Sequence, residues 1–125
     1  MYDVLLTIHN ATGGLTLIAT LATAITLVIT ARTTDTWSSL ALRATLILAS
    51  LQGLLGILML LIGQVWQFWF HYLLGLAAVA VISIVTARAR RAPNSQARRY
   101  GGILLGVFVL VLVTFLAGQF RWTVV

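Results

Sequence analysis

Four apolar runs, each long enough to cross a hydrocarbon core about 30 Å thick and separated by short polar breaks, constrain this chain more than any other feature. They cover about residues 4–31, 40–63, 67–87 and 101–120. Inside lipid every backbone N–H and C=O must be paired within its own segment or within a closed barrel. The runs lack the period-two alternation of barrel strands, so helices are expected. The predicted architecture is all-α: one transmembrane domain over residues 1–125, an integral membrane four-helix bundle with up-down topology. The first run follows MYDVLL, which has an acid and no basic n-region, and it is much longer than the apolar core of a signal peptide. It reads as a span of the mature protein.

Charge placement predicts the orientation. Only 8% of the 125 residues are charged and 61% are hydrophobic, well outside the range of soluble domains. The formal charge of +6 is not a nucleic-acid footprint, because the arginines gather at segment ends. Arg32 and Arg43 flank the first break, and Arg88, Arg90, Arg91, Arg98 and Arg99 flank the third, around Pro93. By the positive-inside rule both of these loops are cytoplasmic, so both termini and the GQVWQ turn lie outside, as in a multi-pass protein of a bacterial plasma membrane. Tyr2, Trp66, Trp69 and Trp122 fit an outer aromatic belt, and Trp37 and Tyr100 an inner one.

The helix faces carry a second pattern. Stepping about 100° per residue from His9 brings Thr12, Gly13, Thr16, Thr20, Thr23 and Thr30 onto one stripe, interrupted by Leu27. Such stripes face other helices, because small residues permit close approach and hydroxyls bond across the gap. Helix 2 offers Thr45, Ala49, Gln52, Gly56, Met59 and Gly63; helix 3 offers His71, Gly75 and Ala78; helix 4 offers Gly102 and Gly106 as a GxxxG. Gln52 is expected to bond helix 1 threonines, with contact to a quinone headgroup or haem edge as the alternative. Short echoes between the halves, ITAR against VTAR and IHNATGG against FHYLLGL, leave a duplicated hairpin possible.

His9 and His71 are the only histidines, and each is followed four residues later by glycine, Gly13 and Gly75. Measured from Tyr2 and Trp66 they lie roughly 10 and 8 Å into the helices at about 1.5 Å per residue. In an up-down bundle helices 1 and 3 sit across a diagonal of roughly 11 to 14 Å when adjacent axes are about 8 to 10 Å apart. Two inward imidazoles across that span suit one metal, and a glycine one turn away clears space for a macrocycle, as bis-histidine haem b requires. The bland alternative is a histidine bonded to a threonine, a carbonyl or interfacial water. With no cysteine, thiolate metal sites, iron–sulfur clusters and covalent haem attachment are excluded. Two histidines without a carboxylate or thiol make a poor mononuclear zinc or copper site.

The layout of IHNATGGLTL, LASLQGLLGILMLL, FWFHYLLGLAAV and ARRYGGILLGVFVLVL resembles small bacterial four-helix membrane proteins described as b-type cytochrome-like. That resemblance implies haem binding, with His9 and His71 as the metal ligands and Gly13 and Gly75 beside the cofactor. The expectation is a membrane electron carrier, or a subunit of a membrane redox complex, embedded in lipid and assembled with other redox subunits or with itself. Trp66, Trp69, Phe70 and Tyr72 would shield the macrocycle. The competing expectation is a cofactor-free accessory or assembly subunit. A proton-coupled exporter is disfavoured, because no acid lies within a helix core. No nucleophile, base and orienting acid occur together, so no enzyme is expected.

Overall fold

The computed structural model describes residues 1–63 and 69–119. It contains four helices, α1 (Tyr2–Thr30), α2 (Thr36–Gly63), α3 (Trp69–Arg91) and α4 (Ala97–Gln119), with a single 3-10 turn at Asn94–Gln96 and no strand among the described residues. All four helices are long and apolar enough to cross a membrane, as a multi-pass integral membrane protein requires. The expected GQVWQ turn, Trp66, Arg121 and Trp122 lie outside the described residues.

The expected spans and the observed helices differ mainly at the polar ends. α2 begins at Thr36 rather than near 40, and α3 runs on to Arg91 rather than stopping near 87. Hydropathy ends where charge begins, but alanine and arginine are strong helix formers, so the ARARR segment continues the helix beyond the apolar span. α1 stops at Ala31, whose left-handed φ of 52° turns the chain while its N–H donates to the Leu27 carbonyl at 3.1 Å.

α1 packs on α2 and α4, and α3 packs on the same two helices, leaving α1 and α3 across the diagonal. This is the up-down square. The two arginine-bearing connections meet at one end, where the Asn94 side-chain carbonyl accepts from the backbone N–H of Thr33 at 2.9 Å. It also lies 3.3 Å from the Thr34 N–H and 3.1 Å from the Thr34 hydroxyl. The buried Thr33 hydroxyl donates to the Ala92 carbonyl at 2.7 Å. Arg88, Arg90, Arg91, Arg98 and Arg99 are all exposed around this latch.

The threonine stripe faces inward as expected: Thr12, Gly13, Thr16, Thr20, Thr23 and Leu27 are buried. Most of its hydroxyls are satisfied within α1, Thr16 donating to the Thr12 carbonyl at 2.8 Å and Thr20 to the Thr16 carbonyl at 2.7 Å. Thr23 also reaches across, as do Thr12 and Thr30 to Gln52 and Ser38 of α2, since its hydroxyl and that of Thr45 on α2 share a hydrogen bond at 2.7 Å. The carbonyls of Ala41 and Ala19 lie at 3.0 and 3.1 Å from Thr23 and Thr45, so the remaining hydroxyl proton also finds an acceptor. Small residues and hydroxyls thereby bring α1 and α2 together without leaving polar groups bare in lipid.

The GxxxG of α4 requires a correction. Gly102 and Gly106 are exposed, and a Cβ added at either would meet nothing within 4 Å. The close approach is instead at Gly101, where a Cβ would lie 2.7 Å from Val28 Cγ2 and 3.0 Å from the Ala24 carbonyl oxygen. One residue turns a helix by about 100°, so a motif displaced by one position leaves the interface. Gly63, at the end of the α2 stripe, is likewise exposed.

The apolar core, which includes Leu27, Leu42, Ile82, Ala89, Leu104 and Val107, occupies the middle of the bundle and its arginine end. The histidine end is hollow.

Candidate functional site

The hollow is a cavity of about 300 Å³ lined by all four helices, with His9, Gln52, His71, Tyr72, Thr114 and Phe115 in its wall. α1 and α3 bring the two histidines together from opposite corners, with ring centroids 6.1 Å apart and planes at 86°. Gly13 and Gly75 also line this cavity. Neither lies against a histidine ring: a Cβ on Gly13 would come within 3.0 Å of Gln52 Nε2, and one on Gly75 within only 3.9 Å of Thr114 Cγ2. The glycines that do lie against the rings come from the other two helices. A Cβ on Gly118 of α4 would sit 2.7 Å from His71 Cε1, and one on Gly56 of α2 would sit 3.5 Å from His9 Cε1.

Each imidazole is oriented by a neighbouring helix. His71 Nδ1–H donates to the Thr114 carbonyl of α4 at 2.9 Å. A backbone carbonyl has two lone pairs, so Thr114 accepts this bond beside any bond within α4. With the proton on Nδ1, the lone pair of His71 is on Nε2. His9 Nε2 lies 3.3 Å from the Gln52 amide nitrogen, which donates to it, and the Gln52 carbonyl accepts from the Thr12 hydroxyl. Gln52 therefore joins α1 as the sequence suggested, and it touches His9 as well. In this arrangement the His9 proton is also on Nδ1, which is buried without a partner. Both rings thus present the same tautomer, with lone pairs on the two Nε2 atoms.

Two imidazoles are the donor set that a bis-imidazole iron takes, and of the two only the His71 Nε2 has no partner among the described residues, His9 Nε2 being engaged by Gln52. Metal-bound histidines typically give their other ring N–H to a carbonyl or carboxylate, which fixes the ring and raises its basicity, and the contact from His71 to Thr114 has that form. The ring centroids are 6.1 Å apart, a separation of the order that two metal–imidazole bonds near 2.0–2.1 Å would span. His9 would have to exchange its Gln52 contact for the metal. No group of three or more His, Cys, Asp or Glu residues gathers anywhere among the described residues, so a metal held by protein side chains alone has no site there.

The expected aromatic shield is partial. Tyr72 lines the cavity and stands beside His71 with ring centroids 6.0 Å apart. Trp69 and Phe70 pack edge to face with each other at 5.8 Å, and Trp69 is exposed. Sequence reasoning missed Thr114, Phe115 and Gly118. The signal was available, because Gly101, Leu104, Val107, Val111, Thr114 and Gly118 recur at helical spacing, but the GxxxG drew attention to the neighbouring face.

No family model, curated protein or solved structure matches this chain. The site must be interpreted from its own chemistry.

Proposed function

We propose that this chain binds one haem b between His9 and His71 and works as a membrane electron carrier or as a subunit of a membrane redox complex. The observation that carries this reading is the pair of imidazoles from opposite helices that line one cavity, the His71 ring held by the Thr114 carbonyl and the His9 Nε2 engaged by Gln52, a contact it would exchange for the metal. Bound haem supplies a one-electron couple. The protein's part is to orient His71 through Thr114 and to place His9 through α1. Tyr72, Phe115 and the apolar walls would surround the cofactor, and such burial is one of the means by which a protein sets a haem potential. With the arginine-rich loops cytoplasmic, the site lies near the outer face of a bacterial plasma membrane, and partner redox subunits or further copies would contact the lipid-facing surfaces.

The test is a dithionite-reduced absorption spectrum of the purified protein. The expected result is b-type bands that are lost in His9→Leu and in His71→Leu. A native spectrum without those bands, or full haem retention in His9→Leu, overturns the reading.

One observation favours the alternative of a cofactor-free accessory or assembly subunit. Thr12, Gln52 and His9 already form a hydrogen-bonded chain that needs no ligand. That reading expects either histidine substitution to leave the cofactor content of the host complex unchanged.

A further inference from the structure

We propose that the histidine site is loaded sideways from the membrane, through the seam between α2 and α3. This inference rests on the haem reading above and adds the route by which the macrocycle reaches the two imidazoles.

A second cavity, of about 90 Å³, lies along this seam. Gly56 and Ile57 of α2 and Gly75 and Leu76 of α3 form its walls, and His9 and His71, which also line the main cavity, are at its inner end. Ile57 is 48% exposed and Leu76 56% exposed, so the outer rim belongs to the lipid-facing surface. The seam is therefore apolar where it meets the hydrocarbon and becomes polar at the imidazoles. A flat, largely apolar ring with a metal at its centre matches that gradient edge-on.

The seam is open because of what stands on either side of it. Gly56 and Gly75 contribute no side chain, and a Cβ on either would touch nothing closer than 3.5 Å. Closure begins one turn further in, where a Cβ on Gly53 would lie 3.3 Å from both methyls of Val79. The α2–α3 seam, like that between α1 and α4, carries no side-chain hydrogen bond among the described residues, and it lacks the close backbone approach that Gly101 gives α1 and α4. α1 is tied to α2 through Thr23 with Thr45 and through Gln52 with Thr12 and His9, and α3 is tied to α4 through His71 and Thr114. Among the described residues no side-chain hydrogen bond joins α2 to α3. Parting these two helices exposes apolar surface to lipid, which costs little because lipid chains are as apolar as the side chains themselves.

The chain has no cysteine, so a closed seam can be engineered cleanly. The protein carrying Ile57→Cys and Leu76→Cys is produced in haem-starved cells and reconstituted into phosphatidylcholine vesicles. It is then treated with a short cleavable bis-maleimide and given haem dissolved in a second vesicle population. Uptake, followed at the Soret band, is expected to slow by about tenfold or more in the cross-linked form, a barrier raised by roughly 1.4 kcal/mol, and to recover when the linker is cleaved. Ile57→Trp, which enlarges the lipid-facing rim of the seam rather than the wall beside His9, is expected to slow uptake while reaching the same final spectrum. Unchanged uptake in both overturns the lateral route in favour of entry from the aqueous end of the bundle. If the native protein takes up no haem in the same assay, the haem reading itself falls and the route falls with it.

Discussion

Gly101→Ala and Gly102→Ala place the same methyl group on adjacent residues of α4, with opposite expected results. At Gly102 the new Cβ meets nothing within 4 Å. At Gly101 it would lie 2.7 Å from Val28 Cγ2, 3.0 Å from the Ala24 carbonyl oxygen and 3.2 Å from the Val28 amide nitrogen. The valine methyl can rotate away, but the other two atoms are backbone and move only if α1 moves. Ordinary contact needs about 3.5–4.0 Å between carbons, so α1 and α4 must separate by roughly half an ångström, which already forfeits a quarter or so of the dispersion attraction across the contact. Overpacking of this kind costs about 1–3 kcal/mol. Replacing glycine by alanine within a helix gains up to about 1 kcal/mol in propensity at both positions, and that gain cancels in the comparison. The difference in unfolding free energy between the two variants is therefore the packing cost alone, about 1–3 kcal/mol with Gly101→Ala the less stable. Reversible unfolding in mixed micelles with increasing sodium dodecyl sulfate, followed by far-ultraviolet circular dichroism, measures it. Equal stabilities, or Gly102→Ala the weaker, would mean that the GxxxG face points into the bundle and that the packing of α4 described above is wrong.

Three further experiments probe other contacts. Gly118→Ala drives a methyl into the His71 ring, which must leave the Thr114 carbonyl; a loss of about 1–3 kcal/mol in stability is expected, together with weakened haem retention in the reduced spectrum, neither of which Gly102→Ala produces. Thr23→Val and Thr45→Val, combined in a double-mutant cycle of the same unfolding measurement, should couple by about 0.6 kcal/mol and by no more than about 1.7, the range of interhelical hydrogen bonds in membranes. Asn94→Ala removes the acceptor for the Thr33 N–H and should cost about 1–3 kcal/mol, with faster amide exchange at Thr33, whereas Asn94→Asp keeps the acceptor and the slow exchange.

The bundle was legible in the sequence because the membrane leaves so few ways to satisfy a backbone. Four apolar runs of spanning length and two arginine-rich breaks lead directly to four helices whose breaks alternate between ends, and the inward face of α1 followed from the spacing of its threonines. What stayed hidden was rotation. α4 is apolar on every side, so its sequence carries a weak facing signal, and two glycines four apart suggested a face about 100° from the one that packs. The same ambiguity concealed Thr114 and Gly118, which complete the site. The pairing of His9 with His71 could be reached from topology and depth. The glycines against their rings could not, because those residues come from α2 and α4 and have no sequence relation to either histidine. Asn94 was unreadable for a similar reason, since its partners lie about sixty residues away in the other loop.

The polar groups divide unequally along the bundle, and this bears on what the site is for. Toward the arginine end each buried hydroxyl has an acceptor, either a carbonyl of its own helix or a partner on the next, and the apolar core fills the remaining space. At the histidine end there is an open cavity instead, and the His9 Nδ1–H is buried without an acceptor. An unsatisfied buried donor costs about 1–3 kcal/mol. A leucine at either histidine position would avoid the desolvation of an imidazole and fill part of the void, so packing alone does not account for these two side chains. A ligand that binds only the folded state returns free energy in proportion to the logarithm of its concentration over its dissociation constant, about 2.7 kcal/mol at a hundredfold excess. A bundle well packed at one end and left hollow at the other is an arrangement to which such a ligand would contribute the missing stabilisation.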